Sequence, residues 1–271
     1  MKTGGDAGRR YLHGTSLSER RRLEAQAELL GGAGFLPPLR EMRVLDVGCG
    51  TGAIAREVAG RVAPGEVVGL DRDPEQLAAA RELAEGAGIA LTLTLGSVEE
   101  LPFRDRSFDA AYCRFLLEHL PDPLRAITEM ARVVRPGGWI CALEWEPDAL
   151  VMHPACPNVL AVWQAIYAFQ AATGVDPRVG RRLYALFQQA DLVDVEADTL
   201  AWSVTAGQPE ALPLYVSGAR EIIRQTQEAL IHGEHIRPAS IELALREYDQ
   251  VLSCPSTFIS HSFCRATAHR A

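Results

Sequence analysis

Length, composition and charge narrow the class of protein to which this chain can belong. Its 271 residues are 48% hydrophobic, which is enough for one large core and favours one domain with insertions over two domains. The 35 acidic residues outnumber the 27 basic residues and give a net charge of −8. Proteins that bind nucleic acids need a positive surface to neutralise phosphates. Because the net charge of this chain is negative, the sequence predicts no nucleic-acid partner.

The distribution of apolar residues and cysteines argues against further classes. No apolar run reaches membrane-spanning length, and the first eight residues lack the apolar centre of a signal peptide. The six cysteines form no C-x-x-C pair and have no zinc-ligand spacing. We therefore expect a cytoplasmic protein with reduced cysteines, no metal site and no membrane partner.

The chain begins with a helical pattern and continues as alternating strands and helices. Ser16 and Glu19 have capping-box spacing, and the helix that they start ends at Gly31-Gly32. The elements predicted next are strand 43–47, helix 52–62, strand 66–70, helix 74–87, strands 89–95 and 108–113, helix 122–134, strand 138–145, helix 178–190 and strands 193–204 and 257–268. This alternation indicates an α/β fold with a doubly wound, Rossmann-like parallel sheet.

Two helical segments are extra to this alternation. They occupy about 150–175 and 207–253, on a domain predicted to span 41–271. Their positions place them over the carboxyl ends of the parallel strands, where open α/β sheets bind ligands. Together with the N-terminal segment 1–40, we expect them to form a helical lid over an acceptor pocket. A dimer interface is the alternative, and the sequence is compatible with a monomer or a homodimer.

A glycine-rich loop follows the first strand. Asp46 precedes Gly48, Gly50 and Gly52, whose G-x-G-x-G spacing lacks the third glycine of the dinucleotide fingerprint. A carboxylate beside the loop would repel a pyrophosphate, but it suits a ligand with an ammonium or sulfonium charge. The second strand ends in Asp71, which can accept hydrogen bonds from ribose hydroxyls. These residues predict a nucleoside site.

Four motifs in order resemble those of the class I S-adenosylmethionine (SAM) methyltransferases. They are residues 44–52, 96–113, 116–123 and 132–140, and they are most similar to the UbiE-like branch, which acts on small molecules. The resemblance is close over about residues 40–145. It implies a seven-stranded sheet whose last strand lies antiparallel between the fifth and sixth, SAM as cofactor and S-adenosylhomocysteine (SAH) as product.

The resemblance also implies a set of cofactor-binding residues. On the family pattern, Asp46 lies near the methionine ammonium, Asp71 binds the ribose and Arg114 lies at the methionine end. The remaining positions implied are Tyr11, Gly48, Cys49, Gly50, Gly52, Arg72, Ser97 and Val98. Ser97 stands where the family usually has Asp, so a weaker contact with the adenine amino group is expected.

The sequence determines the catalytic residues poorly. Glu144 lies at the end of the fifth strand beside the expected methyl position, with a solvent-exposed strand-end acid as the alternative. His119 follows the fourth strand, where a packing or capping role is the alternative. We predict Glu144 and His153 as catalytic candidates, with His119 and the N-terminal His13 weaker.

The resemblance implies methyl transfer to a small-molecule acceptor, such as an aromatic or polyketide-like secondary metabolite. Two alternatives share the SAM site. One is a methyltransferase-fold enzyme that catalyses a non-methylating reaction, such as a cyclisation. The other is a non-enzymatic SAM-binding protein, for which a substrate lid would be superfluous. Consumption of SAM distinguishes methyl transfer from both.

Overall fold

A mixed sheet of eight strands forms the centre of the structure. The structure is a computed structural model that describes residues 16–271. The predicted site residues Tyr11 and His13 lie outside this range. The strands are β1 (Arg43–Val47), β2 (Glu66–Asp71), β3 (Thr92–Leu95), β4 (Phe108–Arg114), β5 (Val134–Trp145), β6 (Val151–His153), β7 (Leu192–Thr205) and β8 (Phe258–Arg270). Strands β1 to β5 pair in parallel in the order β3-β2-β1-β4-β5. Strand β8 pairs antiparallel with β5, β6 and β7.

Eight α-helices accompany the sheet in the described part of the chain. They are α1 (Leu17–Leu29), α2 (Ala53–Val62), α3 (Pro74–Gly86), α4 (Pro123–Val133), α5 (Pro157–Ala172), α6 (Leu183–Gln189), α7 (Ala211–His232) and α8 (Pro238–Ser253). Side chains cap several of them: Ser16 Oγ accepts from the Glu19 N–H, and Asp73 accepts from two N–H groups of α3. No helix among residues 16–271 combines the length and the apolar character needed to cross a bilayer.

The central strands are apolar on both faces because helices cover both sides of the sheet. In β5, residues 139–144 are all buried, which is the pattern of a strand sandwiched between two layers. One core lies beneath α4 and α6 and includes Leu45, Ile127 and Phe187. The other lies on the opposite face beneath α2 and includes Val44 and Val58.

The predicted fold class is confirmed, with one addition. The last strand, β8, lies antiparallel between β5 and β7, which correspond to the predicted fifth and sixth strands. The sheet has eight strands instead of seven because β6 pairs with Phe258, Ile259 and Ser260 at the start of β8. Three residues are too few to give a recognisable alternation, so β6 left no signal in the sequence.

Helices α5, α7 and α8 pack together as a separate layer, here called the helical layer. Its core is apolar and includes Val159, Ile223 and Val251. Helix α1 lies against α7, and the Trp202 indole N–H of β7 donates to the Leu29 carbonyl at 2.8 Å. The division of the chain into a lid and a methyltransferase domain remains a prediction.

Glu247 joins two helices of this layer. Its carboxylate accepts from the backbone N–H of Val159 at 2.8 Å and from the Asn158 side chain at 2.6 Å, at the first turn of α5. Glu247→Ala removes these buried, charged hydrogen bonds, and we expect the unfolding free energy to fall by about 1.5–3 kcal/mol in urea denaturation. The same substitution at exposed Glu242 of α8 should change it by less than about 0.5 kcal/mol. Equal effects at the two positions would contradict the capping role.

Candidate functional site

A cavity of about 1360 Å³ lies at the carboxyl edge of the parallel strands. The loops after β1, β2, β3 and β4 and the end of β5 line one side of it, and residues of α1, α5 and α7 line the other. The predicted site residues Asp46, Gly48, Cys49, Gly50, Asp71, Arg72, Ser97, Val98, Arg114 and His119 all lie in its wall. The topology therefore brings most of the predicted cofactor site together.

Hydrogen bonds to β2 hold the glycine loop in place. The N–H groups of Gly48 and Cys49 donate to the Leu70 carbonyl at 2.8 and 2.9 Å, and the Gly50 N–H donates to Asp71 Oδ2 at 2.8 Å. Gly48 has a φ of 74°, and a Cβ there would lie 2.9 Å from Leu116 Cδ1, so a larger residue would be strained. Gly52 caps α2 with a φ of 73° and is not part of the cavity wall.

Asp71 stabilises the turn and also faces the cavity. Besides the bond to Gly50, its Oδ1 accepts from the Asp73 N–H at 2.9 Å. Burial raises the pKa of Asp71, against the lowering effect of these two backbone N–H groups. Each carboxylate oxygen has a second lone pair, which leaves capacity to accept from ligand hydroxyls.

Two buried groups of opposite charge lie in the cavity wall with unused hydrogen-bonding capacity. Asp46 Oδ2 and the Nε and Nη2 atoms of Arg114 have no hydrogen-bond partner among residues 16–271. Burial raises the pKa of Asp46 to about 7, and it lowers the pKa of Arg114 to about 10. The two charges also attract each other, and Arg114 lies 4.8 Å from the centroid of the Phe115 ring. A carboxylate and a guanidinium in one wall are compatible with a ligand that carries both an ammonium and a carboxylate.

The remaining cofactor positions lie at the other end of the glycine loop. Val98 is buried, whereas Arg72 and Ser97 are exposed at the rim, and Ser97 Oγ accepts from the Glu99 N–H at 3.2 Å. The sequence did not indicate Gln76, a wall residue that is 4% exposed and whose Oε1 has no partner among the described residues. An early helical glutamine ordinarily faces solvent, so its sequence position carried no signal.

Of the three catalytic candidates, the structure brings only His119 to the cavity. Burial is the largest cause that lowers the pKa of His119 to about 4, followed by the charges of Arg22 and Arg72, so its ring is neutral near pH 7. His153 lies exposed on β6, outside the cavity wall, with Nε2 3.3 Å from Ser256 Oγ.

Glu144 lies behind the cavity wall instead of in it. It is 0% exposed, and its Oε1 accepts from the N–H groups of Leu116 and Leu117 at 3.1 and 2.8 Å. Burial raises its pKa to about 7, while these backbone N–H groups act in the opposite direction. The Glu144 carboxylate therefore holds the loop after β4 in place. This geometry does not support the predicted catalytic role of Glu144.

A second polar cluster faces the cavity from α7 and β8. Tyr215 of α7 and His261 of β8 are both buried wall residues, joined by a hydrogen bond of 2.6 Å. The sequence contained one usable signal for His261. Ile259, His261 and Phe263 alternate with less buried residues, which places His261 on the inward face of the last strand.

Comparison with known proteins places the motif-bearing region in one family. Residues 45–142 match the family described as "Methyltransferase domain". The demethylmenaquinone methyltransferase of Lactiplantibacillus plantarum is 36% identical over 152 residues, covering 54% of this chain and 58% of that protein. The ubiquinone biosynthesis O-methyltransferase of Alkalilimnicola ehrlichii is 41% identical over 120 residues, covering 44% of this chain and 45% of that protein. The chain thus spans about half the length of these relatives.

The fold similarity extends beyond that region. Phosphoethanolamine N-methyltransferase 2 of Haemonchus contortus, in complex with phosphomonomethylethanolamine and SAH, superposes with a TM-score of 0.55. The match covers 92% of this chain and 52% of that one at 17% identity. At this identity the match establishes the fold alone.

The raised pKa of Asp46 generates a stability prediction. The pKa of this carboxyl is 3.8 in the unfolded chain and about 7 in the folded protein. As pH rises between these two values, ionisation favours the unfolded chain, so the folded protein becomes less stable. Asp46→Asn removes this ionisation. The variant's unfolding free energy relative to wild type should therefore rise by up to about 4 kcal/mol over this pH window and be constant above it. Urea denaturation across pH measures it.

The control for this prediction is Asp191→Asn, the same substitution at an exposed position. Its stability relative to wild type should vary little over the same pH window. A difference for Asp46→Asn that is independent of pH would contradict the raised pKa.

Proposed function

From the premise that this chain contains a class I methyltransferase domain of the UbiE-like branch, we propose that it transfers a methyl group from SAM to a small-molecule acceptor. The observation that carries the proposal is the presence of a buried carboxylate, Asp46, and a guanidinium, Arg114, together in the cavity wall beside the glycine loop. The net charge of −8 supports a small molecule over a nucleic acid as acceptor.

The chemistry of the donor set fits SAM. Asp46 binds the ammonium and Arg114 the carboxylate of the methionine part, so each charge acquires a second partner of opposite charge. Asp71 accepts from the ribose hydroxyls while it holds Gly50. Gln76 Oε1 and Ser97 are the acceptors available for polar hydrogens at the nucleoside end.

Bound SAM supplies an electrophilic methyl group on a sulfonium sulfur. The protein then has two tasks, which are to align the acceptor with that methyl and to exclude water. Helices α1, α5 and α7 close the cavity above the strand ends, and Trp163, Ile166 and Ile222 give that side an apolar surface. We therefore assign the helical layer together with α1 as the lid and the acceptor-binding side.

Small-molecule acceptors are consistent with the names of the relatives, which refer to demethylmenaquinone and to ubiquinone biosynthesis. For this chain, the aromatic residues on the lid side favour an acceptor with a flat apolar body. His119 lies between the two sides of the cavity and remains a candidate for contact with the acceptor.

Calorimetric titration with SAM and SAH tests the proposal. Wild-type protein should bind both, and Asp71→Ala should weaken binding by about 1–3 kcal/mol because a charged hydrogen-bond acceptor is lost. Glu66→Ala, at the opposite end of the same strand, is the matched control and should leave binding unchanged.

Two outcomes would contradict the proposal. A well-folded wild-type protein that binds neither SAM nor SAH would exclude the cofactor assignment. Binding of SAM without release of SAH in the presence of any aromatic hydroxyl, amine or enol acceptor would argue against methyl transfer.

A further inference from the structure

We propose that Tyr215 and His261 form a subsite that binds a hydroxyl group of an aromatic acceptor. This inference rests on the proposed function and names the acceptor class of the same cavity. It identifies two residues outside the family motifs, one on the lid helix α7 and one on the last strand.

The two side chains form a short hydrogen bond at the cavity wall. Tyr215 Oη lies 2.6 Å from His261 Nε2, with the two residues 8% and 6% exposed. Both line the cavity, so a bound molecule can reach the pair. With the tyrosine proton directed at the imidazole, the phenolic oxygen keeps a lone pair that can accept from an acceptor hydroxyl.

Aromatic rings hold this pair in position. Trp145 packs edge-on against the His261 ring at 5.0 Å between centroids, and Trp202 stacks on Tyr215 at 5.5 Å. Phe263 packs on Trp145 at 4.8 Å. A polar pair in such an aromatic enclosure suits a ligand that is itself flat, apolar and substituted with a hydroxyl.

The pair binds the hydroxyl in its neutral form. Burial lowers the pKa of His261 to about 3, so its ring is neutral near pH 7 and is too weak a base to take the proton of a phenol. The Tyr215 hydroxyl donates to His261 Nε2, and its oxygen accepts a hydrogen bond from the acceptor hydroxyl. The pair therefore positions the acceptor oxygen without removing its proton.

The alternative is that the hydrogen bond only fixes α7 to β8. The structure offers a matched control for that role in Tyr248 of α8, a buried tyrosine whose hydroxyl accepts from the Trp163 indole N–H at 3.2 Å. Tyr248 belongs to the helical layer but not to the cavity wall. Tyr248→Phe therefore loses a comparable buried hydrogen bond without touching a ligand.

The experiment uses 4-nitrophenol as the probe, titrated into the SAH-loaded protein at a pH where the free phenol is mainly protonated. Visible absorbance separates bound phenol from bound phenolate. We expect wild type to bind it as the neutral phenol and Tyr215→Phe to weaken binding at least about tenfold. His261→Gln keeps a hydrogen-bond partner for Tyr215 and should retain most of the binding. Binding of the probe as phenolate would contradict a neutral hydrogen bond.

The outcomes separate the two proposals. Unchanged 4-nitrophenol binding in Tyr215→Phe, or an equal loss in Tyr248→Phe, would overturn the role of the pair. SAH binding by wild type without 4-nitrophenol binding would overturn it too and leave the proposed function standing. Absence of SAH binding by wild type would overturn the proposed function itself, and the role of the pair with it.

Discussion

The hydrogen bonds between the glycine loop and the end of β2 are the constraint on which the site depends. The Leu70 carbonyl accepts two N–H groups of the loop and Asp71 accepts a third, so two parallel strands end at one rigid corner. That corner fixes where Asp46 lies and which way the loop opens. A Cβ at Gly48 would be strained by the φ of 74° and would require the Leu116 side chain to shift, which links this glycine to the loop after β4.

The burial of charged side chains is the second physical feature of the site. Asp46, Arg114 and Glu144 lie together at the carboxyl edge of the sheet, and burial shifts the pKa of each towards its neutral form. Glu144 is compensated by backbone N–H groups, whereas the charges of Asp46 and Arg114 act on each other. Both residues lie in the cavity wall, where they form a desolvated pair of opposite charges.

The sequence predicted the fold well because the fold follows from local patterns, and most of the predicted cofactor-binding residues lie in one cavity wall. Alternating apolar runs specify the parallel strands, and the glycine spacing with Asp71 specifies the loop. Glu144, His153 and His261 show where such reasoning stops. Whether a polar residue near a strand end faces the ligand, the solvent or the backbone N–H groups of a neighbouring loop depends on tertiary contacts, and no local pattern distinguishes these environments.

The central position of β8 has a consequence for how the protein is made. Among residues 16–271, β5 obtains its second neighbouring strand, and β6 and β7 obtain their neighbouring strand, from residues 258–270. During synthesis, the first five strands can pair before β8 has been translated, but β6 and β7 stay unpaired until β8 is available. His261 lies on β8, so its part of the cavity wall can form only after the glycine loop and the ends of the five parallel strands have been translated.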